Sequence, residues 1–334
     1  MKQPIKASWK PSIDLERFNF LVVQLEQKLL AFLHRECPLE ELYHFEALQE
    51  IYHLVDEDPW QAFLYARIKN AHAMTPRHGI NVMLTARVWI RLFHKFGSKV
   101  DDFSFSALVH DAGHWYSGNL VYVMNRYTFE QADQLPGHCL ELQWGEGILT
   151  DEMKGWIRDH HENQDGSGYP NRCVNPSLPA QILRIADCFE GLTTKRHFRP
   201  AHSYAKALAL MIRWTPYKFN PGLMKSFREF LGTYPPGTTL ILKSNEIAIV
   251  LPPAPGEKDF NQLIITNKQG DFREGLVEPL VIEDIKSETV PYFQPRLEEK
   301  WKPIRPDLMG LRRNYLEEDL VLTEAFHRDD SSDN

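Results

Sequence analysis

The sequence predicts a mainly α-helical protein that carries a small β-rich appendage toward its C-terminal end. Apolar residues recur at three- and four-residue spacing in segments from residue 13 to residue 231, as expected for amphipathic helices. From Tyr234 onward, the pattern changes to short apolar and β-branched runs separated by turn-forming residues. With 334 residues, of which 43% are hydrophobic, the chain can form one large core and a smaller unit.

The predicted elements follow one another in a simple order. The helices are separated by turns that contain Pro or Gly, and they are predicted at 13–34, 39–55, from Pro59 onward, 78–96, 102–112, 140–161, 178–194, 201–213 and 221–231. The stretch TTLILKSNEIAIVLPP is strand-like on both sides of a Ser-Asn turn, and the acidic end HRDDSSDN is typical of a disordered tail. We therefore divide the chain into an N-terminal helical region (1–70), a helical domain (71–232), a small β domain (233–290) and a C-terminal tail (291–334).

Charge and cysteine content exclude several classes of protein. A net charge of −7 argues against a protein that holds DNA through a broad basic surface. It leaves open a small anionic ligand, because a bound metal can invert the local field. The four cysteines form no C-x-x-C pair, which argues against a zinc ribbon and suits a reducing cytoplasm. We also expect no secretory signal and no membrane span, because the start lacks an apolar core and no apolar run reaches about 18 residues.

The segment ALVHDAGH (107–114) places a histidine and an aspartate side by side after an apolar helical turn. A carboxylate next to such a run is costly unless something positive neutralises it. A divalent metal would do so, with the neighbouring imidazole of His110 as a natural second ligand to the ion that Asp111 binds. On this dipeptide alone, a metal site and an exposed helix end remain equally open.

The segment DHHENQDGSGYP (159–170) places two adjacent histidines, His160 and His161, at the end of a predicted helix (151–161). The chain can turn there and direct both rings at one centre. The Asp-Gly-Ser-Gly-Tyr-Pro turn that follows is rich in backbone donors and can approach a phosphate or a base closely. A surface loop with coincidental histidines is the alternative, and it loses force once this segment is set beside ALVHDAGH.

Two further residues interrupt helical patterns with polar chemistry. Asp187 lies inside the apolar helix ILRIADCFEGLTT, and His78 opens the helix GINVMLTARVWIRLF. Alone, Asp187 would more often be a salt-bridged core aspartate, and His78 would more often be a satisfied histidine near a helix start. Asp187 and His78 become candidate site residues because of their order in the sequence relative to the two histidine segments.

Together, these segments resemble the HD-GYP family, a branch of the HD superfamily of metal phosphohydrolases. The resemblance covers about 71–232, and it depends on four motifs in order: His78, His110-Asp111, the string HHENQDGSGYP (160–170) and Asp187. The H-H-E-x-x-D-G-x-G-Y-P string is long and highly specific. The resemblance implies an HD-type all-helical metal phosphohydrolase domain with a binuclear iron or manganese centre.

The resemblance also implies roles for individual residues. One metal would be held by His78, His110, Asp111 and Asp187. Asp111 would bridge to a second metal, which His160, His161 and either Glu141 or His138 would also hold. Substrate contacts would come from Arg196, Arg199, Tyr169 and Pro170. Asp111 and His114 would be the catalytic residues.

Three positions depart from the family pattern. His114 occupies the position where the family usually has a lysine, so the hydrolytic rate and its pH profile are open. The upstream ligand of the second metal is normally a histidine four residues before a glycine; Glu141 occupies that position, and His138 lies one helical turn earlier. We favour Glu141 by alignment. Met74 replaces the glutamate that relatives with a third metal carry, so we expect two metals.

The resemblance implies hydrolysis of cyclic di-GMP to pGpG, GMP or both, through a hydroxide that bridges the two metals. A second hypothesis is a weak or inactive sensor or scaffold that binds a cyclic dinucleotide, or a diguanylate cyclase partner through the GYP surface. A third is the hydrolysis of another cyclic dinucleotide. Two roles stay open for the N-terminal helices, packing on the helical domain or forming a homodimer.

Overall fold

The computed structural model describes residues 12–66, 76–94, 96–115, 138, 147–194, 201–232, 234–236, 238–242, 247–250, 252–253, 262–266, 272–276 and 285–289. Most of these residues are helical, which confirms the predicted fold class. The α-helices are α1 (Leu15–Leu33), α2 (Leu39–Tyr43), α3 (Glu46–Glu57), α4 (Pro59–Tyr65), α5 (Pro76–Phe93), α6 (Val100–Val109), α7 (Asp151–Arg158), α8 (Leu178–Thr193), α9 (Tyr204–Arg213) and α10 (Pro221–Leu231). Short 3-10 helices cover Gly97–Lys99 and Ala112–Trp115. None of the described helices combines the length and the apolar character needed to cross a bilayer.

Polar caps fix several helix ends at the positions where the sequence changes character. The side chain of Asp14 accepts a hydrogen bond from the backbone of Arg17 at the start of α1, and Thr150 and Asn220 cap α7 and α10 in the same way. Such caps satisfy backbone N–H groups that have no partner within the helix. The predicted helix at 39–55 is interrupted at His44 and Phe45, where α2 ends and α3 begins.

Helix α5 is the centre of the helical part. It is buried along nearly its whole length and packs against α1, α3, α4, α6, α8 and α10. A Cβ atom on Gly79 would lie 2.4 Å from the carbonyl oxygen of Leu108. Only glycine therefore permits the close approach of α5 to α6, and this approach brings the start of α5 beside the end of α6.

The N-terminal helices share one hydrophobic core with the helices that follow them, including the ring stack of Trp60 on Phe230. A buried arginine reinforces this packing. Arg87 of α5 is 1% exposed and donates hydrogen bonds to Asp56 of α3 at 2.9 and 3.2 Å, and to Asp101 of α6 at 2.6 Å. The helices before residue 66 therefore pack directly on those that carry the site. The domain boundary near residue 70 lies outside the described residues and stays a prediction.

The strands lie within the range where the sequence indicates β structure. They are β1 (Thr239–Leu242), β2 (Ile247–Val250), β3 (Gln262–Thr266), β4 (Phe272–Leu276) and β5 (Ile285–Thr289). The described strands form an antiparallel sheet in the order β4-β3-β2-β1-β5. The register pairs Leu240 with Ala248 and with Glu288 on its two sides. The predicted tail at 291–334 lies outside the described residues.

Candidate metal centre

Side chains from distant parts of the sequence converge on Asp111, directly after α6. Oδ1 of Asp111 lies 3.5 Å from Nε2 of His110, 3.6 Å from that of His160 and 3.7 Å from that of His138. Its other oxygen, Oδ2, lies 3.5 Å from Nε2 of His78 at the start of α5. One carboxylate is therefore surrounded by imidazoles on both of its oxygens.

Asp187 adds a second carboxylate from the middle of α8. Its Oδ1 lies 3.1 Å from Nε2 of His78 and 3.9 Å from Nε2 of His110. Because an ionised carboxylate only accepts hydrogen bonds, His78 donates its Nε2 proton to Asp187 in this arrangement. The structure thus brings together His78, His110, Asp111 and Asp187, the four residues to which the resemblance assigns one metal.

Two of the imidazoles are held in the tautomer that a metal ligand requires. Nδ1 of His110 lies 2.8 Å from the carbonyl oxygen of Ala107, and Nδ1 of His160 lies 2.5 Å from that of Ile157. A carbonyl oxygen accepts, so Nδ1 donates its proton there and Nε2 is left to bind a metal ion or, in its place, a second proton. Both Nε2 atoms are buried and have no hydrogen-bond partner among the described residues. Buried ring nitrogens that lack a hydrogen-bond partner fit metal ligands.

The helix ends explain why these two rings adopt the same arrangement. The last carbonyl groups of a helix have no partner within the helix. Helix α6 ends at Val109, and α7 ends at Arg158, so the histidine that follows each helix bonds back to a carbonyl three residues earlier. The prediction that the helix extends to 161 is wrong by three residues, because the chain turns at Asp159 and His160. This turn directs the pair His160 and His161 inward.

The two carboxylates of the centre stay charged although both are largely buried. Burial alone would raise the pKa of Asp111, but the surrounding imidazoles, His110 first, hold it well below its usual value. The pKa of Asp187 is lowered in the same way against burial, mainly by the neighbouring imidazoles of His110 and His78. Burial lowers the pKa of His110, but Asp111 and Asp187 outweigh this effect and raise it to about 9. Two buried carboxylates thus remain ionised, and either a proton or a metal ion must balance them.

The donor atoms form two groups that share Asp111. In each group, one donor atom from every residue lies within 4.8 Å of the others. One group is Asp111, His138, His160 and His161, and the other is His78, His110 and Asp111. Imidazole nitrogens and carboxylate oxygens suit divalent metals of intermediate hardness. The residues present therefore fit a pair of divalent ions that share one carboxylate.

The structure describes one of the two alternative ligands for the second metal. His138 is fully buried in the centre, and its ring stacks on that of His114 with centroids 3.7 Å apart. A Cβ atom on Gly113 would lie 2.0 Å from the carbonyl oxygen of His138, so glycine is needed where the two backbones meet. Glu141 lies outside the described residues, and the preference for it over His138 stays a prediction.

The remaining predicted site residues surround this centre in part. Nε2 of His114 lies 3.8 Å from Oδ1 of Asp111, and burial lowers the pKa of His114. The ring of Tyr169 lies against that of His161, with centroids 4.7 Å apart, and the Tyr169–Pro170 peptide bond is cis. The predicted phosphate-binding residues Arg196 and Arg199 lie outside the described residues.

Arg184 is a residue of the centre that the sequence analysis missed. Its Nη1 lies 3.1 Å from Nδ1 of His161 and 3.9 Å from Oδ2 of Asp187, and its Nη2 donates to Asn163 at 3.3 Å. A guanidinium group only donates, so Nδ1 of His161 must accept. Burial, followed by the charges of His160 and Arg184, holds the pKa of His161 well below its usual value. The available signal was the spacing R-I-A-D, which places Arg184 one turn before Asp187.

Comparison with known proteins supports the same interpretation. A family profile described as "HD domain" matches residues 129–221. A cyclic di-GMP phosphodiesterase of Pseudomonas aeruginosa is 31% identical over 94 residues, which cover 28% of this chain and 22% of that protein. The 3'3'-cGAMP-specific phosphodiesterase 2 of Vibrio cholerae is 26% identical over 198 residues, which cover 54% of this chain and 37% of that protein.

Among solved structures, an HDG"Y"P protein from Bdellovibrio bacteriovorus superimposes with a TM-score of 0.55 at 17% identity, covering 66% of this chain and 74% of that one. This likeness concerns the fold. The sequence matches span well under half the length of the curated relatives. The profile match begins after Asp111, and the fold brings His78, His110 and Asp111 to the histidines that the profile covers. Residues 129–221 thus match an HD domain, and the chain is similar in sequence to curated cyclic di-GMP phosphodiesterases and in fold to an HDG"Y"P protein.

Proposed function

We propose that this chain is a phosphodiesterase that hydrolyses cyclic di-GMP at a binuclear metal centre. The observation that carries the proposal is the pair of buried Nε2 atoms of His110 and His160, which have no hydrogen-bond partner among the described residues and lie within 3.6 Å of the shared carboxylate of Asp111. Phosphodiesters are cleaved readily where two cations meet one substrate phosphate. The matched relatives named as cyclic di-GMP phosphodiesterases support this substrate class.

In this proposal, the ligands divide into the two groups that share Asp111. His78, His110, Asp111 and Asp187 would hold one ion, and His160, His161 and His138 or Glu141 would join Asp111 at the other. When bound, the ions supply Lewis-acid stabilisation of the phosphoryl group and turn water into a nucleophile. Iron or manganese suits the imidazole and carboxylate donors, because no thiolate belongs to either group.

The protein itself orients the ligands and provides a proton. Backbone carbonyls of Ala107 and Ile157 fix the ring orientation of the two histidines before any ion arrives, so little reorganisation accompanies binding. His114 contacts Asp111 and stacks on His138, which places it at the edge of the centre. We assign it the role of proton donor to the leaving 3′ oxygen, in place of the lysine usual in the family.

Substrate binding would use residues around this edge. Tyr169 lies against His161, where its ring and Pro170 would shape the nucleotide pocket. Arg184 faces the same imidazole and has a buried Nε without a partner among the described residues. It would therefore add a guanidinium that can bond phosphate, together with Arg196 and Arg199. The products would be pGpG, GMP or both.

A second substrate has a specific observation in its favour. Three of the matched relatives are named 3'3'-cGAMP-specific phosphodiesterases, and one of these matches covers 54% of this chain. The two dinucleotides share the phosphodiester ring and differ in one base. The same centre would therefore serve both reactions.

The test is anaerobic purification with metal analysis, followed by incubation with each dinucleotide and chromatography of the products. We expect about two iron or manganese ions per chain, as a binuclear site requires, and linear dinucleotide or GMP as product. The variant Asp111→Ala should lose metal and activity. His53→Ala is the control, because the side chain of His53 is 72% exposed in α3. Bound metal and measurable nucleotide binding without any product would favour the sensor hypothesis over the enzyme. Preferential turnover of 3'3'-cGAMP would change the assigned substrate.

A further inference from the structure

A second group of ligand-type side chains adjoins the turn that carries His160 and His161. Asp159 and Glu162 are the immediate sequence neighbours of this pair, and Cys173 lies in the loop that follows. A carboxylate oxygen of Asp159, one of Glu162 and the sulfur of Cys173 lie within 4.8 Å of one another. None of the three belongs to the candidate metal centre around Asp111.

Glu162 is the carboxylate of this group that has no positive partner among the described residues. The residue is 1% exposed, and its Oε1 accepts a hydrogen bond of 2.6 Å from the backbone N–H of Asn171. Its other oxygen, Oε2, is buried and has no hydrogen-bond partner among the described residues. A buried carboxylate oxygen without a partner is costly, so its persistence points to a ligand.

The neighbouring Asp159 has a partner that can be displaced. Arg158 pairs with it through two contacts of 2.7 Å, and Nδ2 of Asn171 donates to Oδ1 of Asp159 at 3.3 Å. The side chain of Arg158 is 45% exposed, so its ion pair contributes little and can open toward solvent. No ion pair joins Glu162 to a lysine or arginine in the part of the chain that the structure describes. The group thus retains an unbalanced carboxylate when Arg158 is paired.

We propose that Asp159, Glu162 and Cys173 form a separate binding site for a zinc-class divalent cation. Zinc accepts thiolate and carboxylate ligands together, whereas magnesium and calcium select oxygen ligands alone. Ligand atoms around a tetrahedral zinc ion lie about 3.6 Å apart, given Zn–S and Zn–O distances of about 2.3 and 2.1 Å. The group therefore needs a contraction of at most about 1.4 Å. On binding, the Cys173 thiol releases its proton to solvent, and water fills the fourth position.

The site would fix the turn that presents the histidine pair. Its two carboxylates bracket His160 and His161 in the sequence, so an ion bound to both would hold the backbone of the pair from each end. This inference does not depend on the proposed hydrolysis.

The sulfur ligand gives the site a spectroscopic signature that histidines and carboxylates do not produce. The full chain is loaded anaerobically with Co²⁺, and the sulfur-to-cobalt charge-transfer absorption is recorded in the near ultraviolet. Total zinc per chain is measured in parallel after loading with Zn²⁺. The variants are Cys173→Ser and Glu162→Gln, and Cys37→Ser is the matched control because Cys37 is also a free, partly buried cysteine.

We expect the wild-type chain and Cys37→Ser to show the absorption. Cys173→Ser should lose it together with one equivalent of zinc. Glu162→Gln should weaken cobalt binding at this site at least about tenfold, since loss of a ligand exceeds the usual effect of an outer-shell change. The absence of the absorption in the wild type would overturn the proposal. Its persistence in Cys173→Ser would do the same, because the sulfur ligand would then come from elsewhere. Circular dichroism shows whether each variant folds. If Cys173→Ser fails to fold, cobalt binding by Glu162→Gln decides whether the site exists.

Discussion

Replacement of the buried Arg87 by methionine tests how firmly the N-terminal helices are joined to the helices of the candidate site. The Arg87 side chain is 2% exposed and bonds to Asp56 of α3, to Asp101 of α6 and to Ser104, 3.1 Å away. Its guanidinium also lies over the ring of Tyr52, 4.1 Å from the centroid. Methionine has similar length and leaves little cavity, so the change removes mainly the charge and its hydrogen bonds.

The expected cost follows from what the two carboxylates retain. The loss of one partner of a buried ion pair typically costs about 3–5 kcal/mol. Here the penalty is reduced, because Asp56 keeps its second partner, Arg91, and because the Asp101 side chain is 55% exposed and can be hydrated. The cation–π contact with Tyr52 adds to the loss. We expect the free energy of unfolding to fall by about 2–4 kcal/mol.

The assay is urea unfolding followed by far-ultraviolet circular dichroism, with Arg91→Met as the control. Arg91 bonds to the same Asp56, but its side chain is 35% exposed, so this substitution should cost about 1 kcal/mol or less. An equal fall in the free energy of unfolding of both variants would contradict this prediction, because burial of the arginine would then not determine the loss of stability. A loss below about 1 kcal/mol for Arg87→Met would refute it as well.

Three further predictions concern the centre. Gly113→Ala should displace His138, because the added Cβ would lie 2.0 Å from the His138 carbonyl oxygen. Binding of one ion should weaken about 10–100-fold in a metal titration, and unchanged occupancy would contradict this prediction. Arg184→Met should lower kcat/KM about 10–100-fold, which is the effect of losing one charge-assisted hydrogen bond, while both ions are retained. Loss of metal would show instead that Arg184 positions His161. His114→Lys should raise turnover by up to about 100-fold if the centre lacks a permanently charged proton donor. A lower turnover at full metal content would show that the missing lysine does not limit hydrolysis.

Much of the centre could be predicted because its residues lie within local motifs. His110-Asp111 and His160-His161 are adjacent pairs after apolar turns, and Asp187 interrupts an apolar helix. Such placements are costly without a partner, so each was a candidate before the fold was known. Helix positions also followed from periodicity: α1 lies within the predicted 13–34, and α8 coincides with the predicted 178–194 to within one residue.

Other features depend on contacts that no local pattern encodes. Arg87 reaches Asp56 across 31 positions, and an arginine in a predicted amphipathic helix is ordinarily a surface residue. The orientation of the His160 ring depends on the carbonyl of Ile157, which becomes available only because α7 ends at Arg158. The role of Arg184 requires knowing that His161 lies beside α8. The sequence offers both His138 and Glu141 as ligands one turn apart, and spacing alone cannot choose between them.

In the proposed centre, one carboxylate, that of Asp111, serves two metal ions. The most direct measurement is the metal content per chain of the wild type and of Asp111→Asn after identical anaerobic loading with manganese. The substitution keeps the size of the side chain and removes its charge. We predict about two ions in the wild type and neither in the variant, since both ligand groups contain Asp111. An Asp111→Asn protein that is folded and still binds one or both ions would contradict the shared-carboxylate arrangement.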